Sequence, residues 1–394
     1  MRPVTVPSLM VCVFGITTGE FVIAGILPGV AGDLAVSIPA AGLLVTAYAI
    51  GMVAGGPLLT ALTTRFPRKP LIMVLLAIAI AGNLGSALAP SYPVLFAARI
   101  VTALVTSTFF ANAIVIAVST ASPDRRASTV SRLVFGMNLA MILGAPIGTF
   151  IGERHGWRAA FLAVALCCAA GFLLVARLVP DVRDAAPATS AVAELRVLRG
   201  RDVRLAIAVT AVANTGLLMV FTFFAPLVTG VTGFAAGTVA VLLLVYGIGA
   251  AAGNLAGGRL ADRAPRRSQL GLLAALAAGL VVMWAVSGSM AATAVMVFAV
   301  GALGFAVIPG MQARVLATAA AAPTLAMAVN ASAYQLAAAF AGWLGGRVID
   351  TGLGLSALYL AGAAVTLAGL SLSAYAWHHT GTQPAPRPDS PRLT

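Results

Sequence analysis

The chain has 394 residues, 60% of them hydrophobic and only 9% charged, with 24 Lys and Arg against 11 Asp and Glu. Soluble domains carry roughly a quarter charged residues and about half apolar ones, so this composition cannot cover a water-facing surface. It excludes the soluble domains that length alone suggests, a disordered chain, a collagen-like repeat, and a disulfide scaffold, for which Cys12, Cys167 and Cys168 are too few. The protein has to spend most of its length in a bilayer.

A spanning helix needs about 20 apolar residues. Runs of that kind predict twelve spans, at 7–30, 40–63, 70–89, 93–120, 129–151, 157–179, 203–229, 236–260, 267–288, 291–318, 325–348 and 354–377. The first is read as a retained span, because no small-residue cleavage site followed by soluble sequence comes after it. Most connections are short. The exception, 180–202, is rich in charge and separates an N-terminal half, 1–179, from a C-terminal half, 203–377. The tail 378–394 is polar and Pro-rich, the composition of a disordered segment. The fold class is an all-α polytopic membrane protein with twelve transmembrane helices in two six-helix halves.

The net charge of +13 is explained by position. With the N-terminus in the cytoplasm, twenty of the 24 basic residues fall on cytoplasmic segments, three (Arg154, Arg158 and Arg347) fall outside, and Arg99 lies within span 4. That asymmetry places both ends in the cytoplasm and reads as a topology signal, which argues against nucleic acid as a partner. Lys69 is the one lysine and has no P-loop around it, which excludes nucleotide-driven transport by this chain alone. His155, His378 and His379 sit outside the spans, so no metal site is expected, and the cysteines read as small core hydrophobes. No cofactor is expected.

The halves repeat each other. A shift of 198 residues aligns Tyr48-Ala-Ile50-Gly51 with Tyr246-Gly-Ile248-Gly249, and Arg65-Phe-Pro67-Arg68-Lys69 with Arg263-Ala-Pro265-Arg266-Arg267. The same shift brings Gly144 and Gly148 of span 5 onto Gly342 and Gly346 of span 11. Halves related by an axis along the membrane normal form a substrate site at their interface, near the bilayer midplane.

These motifs resemble those of the major facilitator superfamily, and within it the twelve-span drug:proton antiporters. The loop after span 8, Gly258-Arg-Leu-Ala-Asp262-Arg263-Ala-Pro-Arg266-Arg267, is similar to the family's signature loop, with Pro265 where glycine is usual. The copy after span 2 departs further, with Thr64 in place of the acid and Pro67 in place of the glycine. Arg99 is similar to the buried arginine of span 4, although Ala103 stands where glycine is usual, and span 6 opens with Gly156-Trp157-Arg158. Gly136, Gly144, Pro146 and Gly148 resemble the antiporter motif of exporters, and Thr17-Thr18-Gly19-Glu20-Phe21 through Pro28 resembles span 1 of bacterial chloramphenicol-resistance and arabinose-efflux permeases. The resemblance implies the major facilitator fold and export.

Glu20 is the acid placed inside an apolar span, where a charge costs about 2.5–3.5 kcal/mol on insertion scales, so it is expected to face a wet cavity or to be protonated. Burial favours the neutral acid and a nearby cation the carboxylate, and such a balance suits proton exchange. The alternative is a carboxylate that only ties helices together. Arg99 lies about 9 Å from the outer end of span 4 and Glu20 about 15 Å from that of span 1, by helix rise, so a direct or water-bridged pair is within reach. Bonding to backbone carbonyls is the alternative for Arg99. Thr17, Asn112, Asn138, Asn214, Phe223, Tyr246, Gln312, Tyr334 and Gln335 are the candidates for the substrate cavity. Arg65, Arg68, Lys69, Asp262, Arg263, Arg266 and Arg267 are candidate gating residues, with Asp262 as a latch between halves or, alternatively, with plain positive-inside charge throughout. The span 5 glycines also admit a packing reading, since small residues let helices approach closely.

Together these features predict a secondary transporter, acting as a monomer in the cytoplasmic membrane, that exports small, largely apolar organic compounds such as antibiotics in exchange for protons. Sugar or nucleoside efflux is the second reading and proton-coupled uptake the third. The sequence lacks the paired acids or Ser/His sets of an intramembrane enzyme and the charge rings or filter of a channel.

Overall fold

The structure, a computed structural model, describes residues 4–63, 66–122, 126–180, 200–319 and 323–379. Thr64 and Arg65, most of the expected linker (181–199) and the tail from Thr380 onward lie outside the described residues. Among the described residues every regular element is helical. This follows from the solvent: in hydrocarbon each backbone N–H and C=O has to be satisfied within its own segment.

Among the described residues, ten helices are long and apolar enough to cross a membrane, and Thr5–Phe21 with Ile23–Asp33 forms an eleventh crossing bent by 49°. Pro323–Asp350 is the twelfth. It is 28 residues long, and its apolar character is diluted by Asn330, Ser332, Tyr334 and Gln335. Each crossing lies within a few residues of its predicted run. Trp284, Phe298 and Trp343, each more than 40% exposed, lie on the outer surface of the bundle, where their solvent is lipid.

Spans 1 and 7 are each broken at matching levels. The first breaks at Val22 and the second at Phe223. Pro28 and Pro226 lie in the helices that follow, and the 198-residue shift superposes them. A proline lacks the N–H that would bond four residues back, which accounts for a bend at these positions. In span 5 the strain before Pro146 takes another form, a short π-helix over Ala140–Gly144.

The repeat has a packing cause. A Cβ on Gly51 would press on Ala103 and the Ile100 carbonyl, and one on Gly249 would overlap the Phe298 carbonyl, 198 residues on from Ile100. Spans 2 and 4, and likewise 8 and 10, therefore cross with backbone close against backbone, as only small residues allow. Spans 1 and 5 run side by side in a fixed register. Gly136, Gly144, Gly148 and Gly152 receive Met10, Thr18, Val22 and Ile26, each pair separated by 126 residues, and Gly25 in turn receives Thr149.

The halves meet unevenly. Span 2 packs along span 11 and span 5 along span 8, through Pro39 on Gly346, Thr46 on Gly342 and Gly247 on Ile142. Phe223 fills the gap left by Gly42 and Gly345. All of these lie between mid-span and the face that carries Arg158 and Arg347. Toward the opposite, arginine-rich face, Arg68 donates to Asn112 (2.8 Å) and Lys69 to the Ala176 carbonyl (3.0 Å) within the first half, and Arg201 donates to the Tyr375 hydroxyl (2.7 Å) within the second. Among the described residues, the contacts that join the halves lie from mid-span to the sparsely charged side, so the seam is shut there and parted on the basic side.

At the sparsely charged rim, Arg158 pairs with Asp33 and donates to the Ala89 carbonyl at 2.9 Å, while the Trp157 indole donates to Asp33 at 3.0 Å. These contacts fasten span 1 to span 6 where their apolar runs end.

Gly144→Leu is expected to drive span 5 off Thr18 and to destabilise the protein by about 1–3 kcal/mol, the usual cost of overpacking. Gly271→Ala, inside a helix where a Cβ meets nothing within 4 Å, is expected to leave stability unharmed or raise it by up to about 1 kcal/mol. Thermal unfolding of the two variants in detergent measures the difference.

Candidate functional site

The break in span 1 frees backbone acceptors. The Val22 amide still bonds the Thr18 carbonyl, and past the break Gly25 and Ile26 both turn back to the Val22 carbonyl. The carbonyls of Gly19 and Glu20 are thereby left for another donor, and Arg99 of span 4 supplies it. Its Nη1 donates to Gly19 O at 2.7 Å and its Nη2 reaches Glu20 O at 3.5 Å. The guanidinium is 1% exposed and lies over the Tyr48 ring, 4.2 Å from its centroid, with Phe161 at 5.6 Å. Tyr48 is fixed in turn by its hydroxyl, 3.0 Å from Thr106 Oγ1. Arg99 thus meets Glu20 through the backbone of span 1, the second of the two arrangements the sequence allowed.

The carboxyl of Glu20 turns the other way, across the seam. Its Oε1 accepts a 2.9 Å hydrogen bond from Nε2 of Gln335 in span 11. Both groups line a cavity of about 30 Å³ together with Phe21, Tyr48, Arg99, Phe221 and Tyr334. That is room for one or two water molecules. Phe21 of span 1 and Phe221 of span 7 meet edge to face beside it, with centroids 5.8 Å apart. A carboxyl, a guanidinium, two phenols and an amide therefore share one small chamber at mid-span, between the halves and next to both helix breaks.

Of the residues expected in the substrate cavity, Tyr334 and Gln335 line this chamber. Asn138 lies apart, in a second cleft of about 20 Å³ formed with Met141 and Ile142 of span 5, Ala250, Ala251 and Asn254 of span 8 and Phe305 of span 10. The spans 1–5 register places Asn138 level with Cys12, eight residues or about 12 Å nearer the basic face than Glu20.

The remaining candidates lie elsewhere. Asn112 accepts from Arg68 and donates to Thr108 O. Asn214 donates to Thr210 O and contacts Met311 Sδ. Phe223 fills the shut side of the seam, and Tyr246 packs among Phe221, Phe224 and Phe305. The buried Thr17 hydroxyl has no partner among the described residues, and Gln312 is exposed. Gly136, Gly144 and Gly148 form the groove for span 1, with Pro146 buried beside them.

The gating residues lie at the basic rim. Asp262, Arg263, Arg266 and Arg267 are exposed, and Arg266 reaches His378 at 3.4 Å within the same half. Asp262 makes no ion pair among the described residues.

Tyr48 and Asn254 were not singled out from the sequence. Tyr48 carried a signal, its place in the repeated Tyr-x-Ile-Gly stretch, but nothing in that stretch shows that its ring would support a guanidinium.

Comparison with known proteins gives a consistent result. A sequence model of the Major Facilitator Superfamily matches residues 9–342. An inner membrane transport protein of Escherichia coli, YdhP, is 36% identical over 93% of each chain. A chloramphenicol resistance protein of Streptomyces lividans is 36% identical over 86% of each. Among solved structures, a D-xylose-proton symporter superposes with a TM-score of 0.74 at 17% identity, covering 95% of this chain and 97% of its own.

Replacing Arg99 by lysine keeps a charge but loses the planar fork that spans two carbonyls and the stacking on Tyr48. Arg99→Lys is expected to lower stability by about 1–3 kcal/mol, the scale of a buried hydrogen bond left unmade. A melting temperature equal to that of the unaltered protein would exclude this bracing role.

Proposed function

We propose that this chain, which belongs to the Major Facilitator Superfamily, exports small, largely apolar organic compounds such as antibiotics across the cytoplasmic membrane in exchange for protons. The observation that carries the reading is the position of Glu20, an acid at mid-span whose carboxyl bridges the two halves and shares a water-sized chamber with Arg99. A proton taken up on that carboxyl removes a charge from the seam itself, so protonation and the relative position of the halves are one event.

The basic face is the cytoplasmic one in this reading, with both termini there, so the seam is open to the cytoplasm and shut to the outside. The units that rock are residues 1–179 and 203–377, joined by 180–202. Asp262 and the arginines around it latch the cytoplasmic side in the opposite, outward-open state. The protein performs no covalent chemistry on its cargo and works as a single chain. The 36% identity to a chloramphenicol resistance protein supports antibiotic export. A sugar or nucleoside cargo is favoured by one feature, the amides of Asn138 and Asn254 facing the parted side of the seam.

Growth of a drug-sensitive host expressing the chain, measured against a panel of antibiotics and in parallel against accumulation of labelled sugars and nucleosides, separates the two cargo classes. Protection against one antibiotic class is expected. In vesicles with an imposed pH gradient, Glu20→Gln is expected to insert normally and lose gradient-driven efflux, and unchanged efflux would remove the acid from the mechanism. Asp262→Asn is expected to slow turnover several-fold with unaltered affinity; a rate equal to that of the parent at equal expression would leave the loop as a topology signal only.

A further inference from the structure

Gln335 occupies a particular place in the seam. Along span 11, the residues turned toward spans 1 and 2 include Gln335, Ala339, Gly342 and Gly346, spaced by three or four as one helical face requires. Thr46 donates to Ala339 O at 2.8 Å, and Gly346 rests on Pro39 further out. Gln335 is the polar side chain of this row and the member nearest the side where the halves part.

Each element packed around the Glu20 carboxyl contributes something different. Span 4 brings Arg99, whose Nη1 and Nη2 donate to the backbone and whose Nε has no partner among the described residues. Span 2 brings Tyr48, with its hydroxyl committed to Thr106, and span 11 brings Tyr334 beside Gln335. Span 7 brings Leu218, Phe221 and Thr222. Among the described residues, Gln335 is therefore the hydrogen-bond donor to this carboxyl. A hydrogen bond to an ionised acceptor is roughly twice as strong as one between neutral groups. The Gln335–Glu20 bond is then a strong tie between halves while Glu20 is ionised and a weak one once it is protonated.

We infer that Gln335 keeps the empty, unprotonated carrier from reopening to the outside, and so prevents protons from leaking through without cargo. The inference rests on the proton-exchange reading above and adds its coupling element. After Glu20 releases its proton to water on the cytoplasmic side, the carboxylate accepts from Gln335 and the outer seam stays shut. Two events free the halves: cargo that displaces the Gln335 amide, or a proton returning to Glu20. The forbidden step is the outward swing with neither. Gln335 is thus a positioning residue that acts through Glu20, a different role from the cargo contact its residue type suggested.

The test uses the full-length protein in liposomes with an imposed pH gradient, followed by an entrapped pH-sensitive dye, with chloramphenicol as the cargo probe. Without cargo the parent is expected to hold the gradient. Gln335→Met, which keeps the length and loses the donor, is expected to dissipate it about ten- to hundredfold faster, the scale of a lost hydrogen bond to a charged group. Gln335→Asn, with the amide one methylene short, is expected to leak to an intermediate degree, and it carries the test should the methionine variant not reconstitute. The leak is expected to vanish when Glu20→Gln is added. A gradient held by both Gln335 variants as well as by the parent, with a raised KM for chloramphenicol, would make Gln335 a cargo contact and overturn the inference. A leak that survives Glu20→Gln would overturn it too. If chloramphenicol or any compound from the susceptibility panel evokes no proton movement in the parent, the exchange reading fails first, a result separate from the behaviour of Gln335.

Discussion

Everything at the centre of this molecule depends on how the backbone of span 1 is satisfied where it breaks. In hydrocarbon an unpaired carbonyl costs several kcal/mol, so a bend of 49° in a spanning helix needs a donor from elsewhere. Arg99 provides it, reaching the Gly19 and Glu20 carbonyls from span 4. Once the guanidinium is committed there, its position, the ring of Tyr48 beneath it and the direction left to the Glu20 side chain follow together. The carboxyl can face the seam because the arginine binds the main chain behind it.

The two halves share their architecture and divide their chemistry. Pro28 and Pro226 bend the first span of each half, and glycines 198 residues apart set the same crossings in both. The charges at mid-span are not repeated, unlike those of the basic loops. The positions equivalent to Glu20 and Arg99 are Leu218 and Val297. One half carries the acid and the guanidinium of the chamber, and the other offers it an apolar wall, the Tyr334 phenol and the amide of Gln335. A two-fold scaffold with a one-sided charge gives a pivot that is symmetric in shape and asymmetric in what it responds to.

Much of the fold was legible in the sequence because the bilayer forces it to be. Twelve apolar runs, the charge contrast between the faces and the 198-residue repeat each reflect a constraint that acts on single segments. Pro323–Asp350 shows the limit of that reading: its run at 325–348 is visible, but Tyr334 and Gln335 dilute its hydropathy because they belong to the seam. The candidate site was legible by type and depth, and for that reason Glu20 and Arg99 stood out. Their mutual arrangement was not, since helix-rise arithmetic treats span 1 as straight, and it is the break that turns the arginine to the backbone. Asn112, Asn214 and Phe223 were marked by polarity or size, but each is used locally, to hold Arg68, to bond Thr210 and to fill the space above two glycines. Which side of a helix faces a neighbour depends on the crossing, and a sequence with low amphipathicity does not show it.

The fixed register of spans 1 and 5 has a mechanical consequence. Side chains of one helix sit in the gaps of the other at four-residue intervals, so the pair behaves like two meshed racks. The next arrangement that meshes equally well is four residues along, about 6 Å away, and packed interfaces tend to be bistable, resisting smaller slips. A shift of span 1 at its bend is thus passed on whole to span 5, and through Ile142 against Gly247 it reaches span 8. Along this route the bend and the far half are geared together by packing alone, beside the separate hydrogen bond of Glu20 to Gln335.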